Sequence, residues 1–137
     1  MTQNAASGPS TESDVVRVLD TYIDAFNRQD YETCATLYEL PCSFLTPQGL
    51  FVLKTPEEFL TTMRSTSAAL RKKGLAKSAF TEKHVTMLDE RIALVSCVCV
   101  RYLADGSPMQ TLGGTYNLYR TDDGWKIVTI LAHAVPA

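Results

Sequence analysis

The stretch TYIDAFNRQDYETCATLYEL, Thr21–Leu40, decides the fold because it contains parts of two helices separated by a very short break. In the first helix, apolar side chains recur at i, i+4, i+7 and i+11, which places them on one helical face. These side chains are Val15, Leu19, Tyr22 and Phe26. The polar segment 27–30 interrupts this period, and a second short helix is predicted from Tyr31 to Tyr38. Both Tyr22 and Tyr38 are therefore expected on buried faces.

Capping residues mark the helix ends. Thr11 and Asp14 have the spacing of a capping box at the start of the first helix. In TPEE, residues 55–58, a threonine N-cap precedes a proline whose missing N–H costs nothing there, so a third helix begins at Pro56. Glu58 can reach back to close a second capping box. Gly74 is the residue expected just beyond the C-terminus of this helix. Three helices are thus predicted within the first 74 residues.

The remaining segments have the pattern of strands. Two short strands, CSFLT and LFVLK, are joined by the turn PQG at 47–49. Beyond residue 74 the apolar period becomes alternating, and three turn signals divide the chain into four strands. Their ranges are 77–88, 91–103, 108–120 and 125–135. Strands linked so closely pair mostly antiparallel, which predicts an α+β fold with three N-terminal helices on one face of the sheet.

The strand at 91–103 is apolar on both faces. Ala93, Val95, Cys97 and Cys99 alternate on one face, and Leu94, Val98 and Val100 on the other. Because the helices cover only one face, a second copy of the chain is expected to cover the other, which predicts a homodimer. Gly113 and Gly114 predict a bulge or bend that curls the sheet around the helices into a cone.

Composition and charge are those of one globular domain. The 137 residues are 45% hydrophobic and 20% charged, with a formal net charge of -2. This balance argues against a nucleic-acid partner. No window has the length of a membrane span and the N-terminus lacks a secretory signal, so a cytoplasmic protein without a membrane partner is predicted. Residues 1–9 are expected to be a disordered tail and residues 10–137 a single domain.

The cysteines and histidines do not have the spacing of a metal site. Cys97 and Cys99 form a C-x-C pair on one strand face, which is neither a redox C-x-x-C motif nor a paired zinc spacing. Buried free thiols are the preferred interpretation. Neither a metal nor a cofactor is expected.

Three motifs carry a family resemblance: YIDAFNRQDYETCATLY at 22–38, the PQG turn, and DDGWKI at 122–127. With the order of the elements, they resemble the nuclear transport factor 2-like superfamily, including its SnoaL-like and ketosteroid isomerase branches, from Thr11 to His133. The resemblance implies a cystatin-like fold with a conical pocket. This scaffold hosts isomerases, dehydratases, cyclases, epoxide hydrolases and non-catalytic association domains, so the resemblance does not imply one reaction.

For ketosteroid isomerase chemistry, the resemblance implies one retained position and two lost ones. Tyr22, eight residues before Asp30, matches the tyrosine that donates to the developing oxyanion. Thr46 stands where these enzymes carry the general-base aspartate. Thr115 is near the position of the second oxyanion donor, a protonated aspartate. Because threonine cannot accept the proton, no ketosteroid isomerase activity is expected.

Two histidines are candidates for other acid–base chemistry, since an imidazole changes charge near neutral pH. His133 has the parity of Trp125 and Ile127, which resemble the inward pair of the family, and is therefore expected to face the cavity. His84 shares a parity with Phe80, and its side of the sheet is left open.

Inward-facing side chains converge on a mostly apolar pocket at the open end of the cone. Its candidate lining residues are Tyr22, Phe26, Tyr38, Phe44, Thr46, Phe59, Met63, Thr115 and Trp125. Arg101 either extends from the sheet edge or binds an anionic ligand, and the edge is the preferred interpretation.

Three classes of function fit these features. The first is a lyase or isomerase acting on an apolar carbonyl compound, with Tyr22 or Tyr38 polarising the carbonyl and His133 or His84 as the base. The second is a non-catalytic protein that binds a small apolar molecule. The third is a homodimerisation module without a ligand. The sequence favours a pocket-bearing protein and leaves the ligand and the reaction open.

Overall fold

The computed structural model describes residues 11–135, in which a curved six-stranded sheet covers three helices. The predicted disordered tail lies outside the described residues. The helices are α1 (Glu12–Asn27), α2 (Tyr31–Thr36) and α3 (Pro56–Lys72), and the strands are β1 (Tyr38–Thr46), β2 (Gly49–Leu53), β3 (Lys77–Asp89), β4 (Ile92–Tyr102), β5 (Pro108–Thr121) and β6 (Gly124–His133). The predicted α+β cone is confirmed. Within residues 11–135, no helix is long and apolar enough to cross a membrane.

The strand order is β2-β1-β6-β5-β4-β3. Neighbouring strands run antiparallel except β1 and β6, which are parallel. Tyr38 pairs with Ile127 in this parallel ladder, and the Ile127 N–H donates to the Leu37 carbonyl at 2.8 Å. The β1–β2 hairpin is therefore attached to the last strand of the chain.

The predicted capping boxes differ in detail between α1 and α3. Thr11 and Asp14 satisfy each other's amide groups, with the Thr11 N–H donating to Asp14 Oδ2 at 3.0 Å. The Thr55 hydroxyl accepts from the Glu58 N–H at 3.1 Å. The Glu58 carboxylate accepts from the N–H of Lys54 at 2.7 Å, one residue before the N-cap. Both starts are thereby stabilised, because amide groups without helical partners are satisfied.

The second helix is shorter than predicted. It ends at Thr36, and Tyr38 already belongs to β1, so its expected helical end at Tyr38 is wrong. The backbone at this point pairs with β6, a partner about 90 residues away that helical periodicity does not reveal. Pro41 lies inside β1, where the register with β6 shifts between Tyr38 and Ser43. Proline suits this irregular position because it has no N–H to donate.

The apolar stripe of α1 packs against β3 and β6. Val15 and Leu19 are fully buried there. At the end of α1, the side-chain amide of Asn27 donates to the Ser78 carbonyl and accepts from the Ser78 N–H, both at 2.9 Å. Phe59 of α3 is also fully buried, and burying such a side chain stabilises the fold by about 1.5–3 kcal/mol.

Two bulges determine which face of the sheet the later side chains occupy. Between Thr81 and His84, β3 has one residue more than β4, and Glu82 adopts a positive φ of 51°. Between Ile127 and Thr129, β6 has one residue more than β5. Each extra residue reverses the alternation of the side chains that follow it.

Of the bulge or bend expected at Gly113 and Gly114, the bulge is absent. Both glycines pair in register with β4 and with β6. Their small size has another use, because a Cβ on Gly113 would lie 2.4 Å from Cε1 of His133. A Cβ on Gly114 would lie 3.0 Å from the Tyr116 ring, on the other face of the sheet.

Candidate functional site

A cavity of about 330 Å³ lies between α1, α3 and the concave face of the sheet. Most of its wall is apolar. The apolar lining includes Phe26, Phe44, Phe51, Met63, Leu70 and Phe80. This volume is at the lower end of the range of about 300–1,000 Å³ that is usual for small-molecule sites.

The polar part of the wall consists mainly of hydroxyl groups. Its side chains are Tyr22, Thr46, Thr62, Thr66, Ser78, Tyr116 and Arg101. Within residues 11–135, no aspartate, glutamate or histidine lines this cavity. The site can therefore donate hydrogen bonds to an apolar ligand, but it lacks a side chain of the usual type for removing a proton from carbon.

Three tyrosines form the aromatic centre of the fold. The ring of Tyr22 meets that of Tyr38 edge-on, with centroids 5.4 Å apart, and Tyr116 meets Phe80 in the same way at 5.5 Å. Burial raises the pKa of Tyr22, Tyr38 and Tyr116 well above the ordinary value of 10.0. All three hydroxyls therefore remain protonated at neutral pH.

The Tyr22 and Tyr38 hydroxyls are neighbours, but the two residues differ in their access to the cavity. Tyr22 is among the residues that line the cavity, and Tyr38 is not. The Tyr38 oxygen is buried in the core and has no well-formed hydrogen bond within the described residues. Its phenol pKa is raised first by burial and then by the nearby Tyr22. Tyr22 is thus the member of the pair that a ligand in the cavity can contact.

The structure brings only part of the predicted set to the cavity. The predicted residues on the wall are Tyr22, Phe26, Phe44, Thr46 and Met63. Tyr38, Phe59 and Trp125 are buried in the core and are not on the wall. Thr115 lies on the outer face of the sheet, and its neighbour Tyr116 occupies the wall instead. The predicted position in β5 is wrong by one residue, and a shift of one residue along a strand moves a side chain to the opposite face of the sheet.

His133 lies on the outer face, so its expected orientation toward the cavity is wrong. Its Nδ1 is 2.7 Å from the Ala134 carbonyl oxygen, and its Nε2 is 2.7 Å from Thr115 Oγ1. In the neutral ring, Nδ1 donates to the carbonyl and Nε2 accepts from the hydroxyl. The bulge in β6 is the cause, because it reverses the parity that began at Trp125 and Ile127.

His84 is exposed on the same outer face, opposite Ser96 of β4. Because of the bulge in β3, His84 points to the opposite face of the sheet from the buried Phe80. Neither histidine contacts the cavity.

Ser78 and Tyr116 were not predicted as site residues, although alternation within β5 placed Tyr116 only one residue from the predicted position. Arg101 lines the cavity near the end of β4, and its guanidinium also donates to the exposed Gln110, so the edge position stays compatible with the structure.

Residues 12–135 match the family described as NTF2-like protein (DUF6841). The chain belongs to this NTF2-like family. No functionally curated protein shows significant similarity to this NTF2-like protein.

Solved structures share the fold of the NTF2-like protein. A cystatin-like domain of unknown function from Nostoc punctiforme is 21% identical with a TM-score of 0.75, covering 93% of this chain and 81% of its own. An NTF2-like protein from Novosphingobium aromaticivorans is 16% identical with a TM-score of 0.75, and the match covers 91% of this chain and 82% of that protein. A proposed dehydratase of the NTF2-like family from Streptomyces avermitilis is 26% identical with a TM-score of 0.70, and the match covers 91% of this chain and 96% of that protein.

The buried tyrosine hydroxyls give a stability test. Tyr38→Phe removes an oxygen without a well-formed hydrogen bond, so the free energy of unfolding should stay unchanged or rise by up to about 1 kcal/mol. In Tyr31→Phe the same atom is removed, but there the hydroxyl donates to Ser67 Oγ at 2.6 Å, so a loss of about 1 kcal/mol is expected. Urea unfolding of both variants measures the difference. A larger loss for Tyr38→Phe than for Tyr31→Phe would contradict this assignment.

Proposed function

We propose that this NTF2-like protein binds a small, mainly apolar molecule in the cavity, with the Tyr22 hydroxyl donating to an oxygen atom of the ligand. The observation that carries this proposal is the mainly apolar cavity of about 330 Å³, which Tyr22 lines and whose tyrosine hydroxyl is protonated. Burying an apolar ligand surface there is favourable, and one oriented hydrogen bond adds selectivity. The position of Tyr22 also supports a place in the SnoaL-like or ketosteroid isomerase branch.

Binding without proton abstraction is better supported than catalysis. A lyase or isomerase needs a base within hydrogen-bond reach of the carbon acid. The predicted bases, His133 and His84, lie on the far side of the sheet, and no carboxylate of residues 11–135 lines the cavity. The likeness to the proposed dehydratase from Streptomyces avermitilis is compatible with a ligand that contains oxygen.

Titration calorimetry with 2-acetylnaphthalene, an apolar ketone, tests this binding function. Saturable binding at one site per chain is expected. Tyr22→Phe should weaken it about twofold to tenfold, because one neutral hydrogen bond is lost. Ala132→Phe adds a ring to the cavity wall and should abolish binding. Leu88→Phe, at a site 56% exposed and away from the cavity, is the matched control and should bind normally. Equal binding by native protein and Ala132→Phe would exclude the cavity as the site.

No isomerisation of 5-androstene-3,17-dione is expected from the native chain. General-base catalysis contributes about 10²- to 10⁴-fold, and Thr46 offers a hydroxyl that already accepts from the Gln48 N–H at 3.1 Å. Loss of one oxyanion donor removes about another 10²- to 10³-fold. The absorbance of the conjugated enone follows the reaction, with Thr46→Asp as the variant that restores a carboxylate on the wall. Substantial turnover by the native chain would show that another residue acts as the base.

We also propose a homodimer formed through the outer face of the sheet. Leu94, Val98 and Val100 of β4 are only partly covered there, although they are apolar. Leu45 of β1 and Val52 of β2, on the same face toward the other end of the sheet, are 38% and 47% exposed. Apolar side chains left uncovered on two parts of one sheet face favour an interface. The homodimer is compatible with ligand binding, because the cavity lies on the opposite face.

Sedimentation equilibrium at micromolar concentration tests the homodimer. A mass of twice 15.1 kDa is expected for the native chain. Val98→Glu places a charge in the middle of the outer face and should shift the population to monomer, because an unpaired charge is costly to bury. Glu32→Lys, on the exposed side of α2, is the control and should leave the mass unchanged. A native species of 15.1 kDa alone would refute the homodimer.

A further inference from the structure

Arg101 is the single charged side chain on the cavity wall within the described residues. It is partly buried, and no ion pair joins it to a carboxylate of residues 11–135. Its Nη1 donates to Gln110 Oε1 at 2.6 Å, which occupies one of the five guanidinium N–H groups. Its other N–H groups are donors that an anionic ligand in the cavity could use.

The charge of Arg101 acts on the interior of the cavity. Burial raises the pKa of the Cys99 thiol and of the Tyr116 phenol, and the positive charge of Arg101 opposes both increases. Cys99 and Tyr116 both line the cavity. An anionic group that entered the cavity would therefore experience a favourable potential from the same guanidinium.

Ser78 provides a second unsatisfied group beside Arg101. Its side chain is on the cavity wall and only 4% exposed, and its Oγ has no hydrogen-bond partner within the described residues. Ser78 and Arg101 pair directly in the β3–β4 ladder, which places their Cβ atoms about 4.5–5.5 Å apart on the same face. The Asn27 amide fixes the Ser78 backbone through two hydrogen bonds of 2.9 Å. A buried hydroxyl without a partner is costly, and a ligand atom would satisfy it.

We propose that the ligand is an amphipathic monocarboxylate whose carboxylate binds Arg101 and Ser78 while its apolar body fills the cavity. This inference rests on the proposed binding function and adds the chemical class of the ligand. The guanidinium donates to carboxylate oxygens in a planar, charge-assisted geometry, and the Ser78 hydroxyl supplies a further donor. A single cation matches a single negative charge, which favours a carboxylate over a doubly charged phosphate monoester.

Two probes of nearly equal shape test the proposal: 2-naphthoate and the neutral 2-naphthamide, each titrated calorimetrically against the native chain. The carboxylate should bind about 10- to 100-fold more tightly than the amide, because hydrogen bonds to charged groups are the stronger ones. In Arg101→Met, which keeps the length of the side chain and removes its charge, this preference should disappear while the affinity for the amide stays within about twofold. Ser78→Ala should lower the preference about twofold to tenfold.

The outcomes separate this inference from the function on which it rests. Equal binding of both probes by the native chain would overturn the carboxylate assignment and leave the apolar binding function intact. A carboxylate preference that persists in Arg101→Met would also overturn it. Failure of both probes to bind would overturn the binding function and the inference together. Arg17→Gln, which removes an exposed charge on α1, is the matched control and should keep the full preference. If Arg101→Met does not fold, Ser78→Ala decides the question, because its hydroxyl makes no hydrogen bond that the fold would lose.

Discussion

The parallel pairing of β1 with β6 is the constraint on which the rest of the molecule depends. It joins a strand that directly follows the second helix to the last strand of the chain, beginning with the hydrogen bond from Ile127 to Leu37. Because β2 is attached only to β1, this pairing also places Phe44 and Phe51 on the wall of the cavity. The cavity is therefore a product of long-range strand pairing, and the helices cover a surface that this pairing has shaped.

The wall of the cavity combines apolar and polar side chains. Rings and aliphatic side chains form most of it, with the hydroxyls of Tyr22 and Tyr116 among them. Arg101 and Ser78 stand together on neighbouring strands. Apolar contacts and polar side chains are thus both present on the wall, as is usual for small-molecule sites.

The helices and the sheet could be predicted because their signals are local. The capping threonine at position 55 and the apolar stripe of α1 act within a few residues, and turn residues act in the same way between strands. The side on which a histidine points could not be predicted, because each bulge depends on the register between two strands. For His133 that register joins β5 and β6, and for His84 it joins β3 and β4. Strict alternation assigned Trp125 correctly to the interior but failed beyond the extra residue in β6.

At β2, the cone is built from paired side chains. At Gly113 and Gly114 of β5, in contrast, the sheet consists of backbone alone. Gly113 leaves room for the imidazole of His133 on the outside, and Gly114 leaves room for the Tyr116 ring on the inside. At this point a single layer of peptide separates the cavity from the outer surface. A side chain added at Gly113 would therefore press on His133 at the outer surface, and one added at Gly114 would press on Tyr116 at the cavity. Two adjacent positions in one strand thus control the space available on opposite sides of the protein.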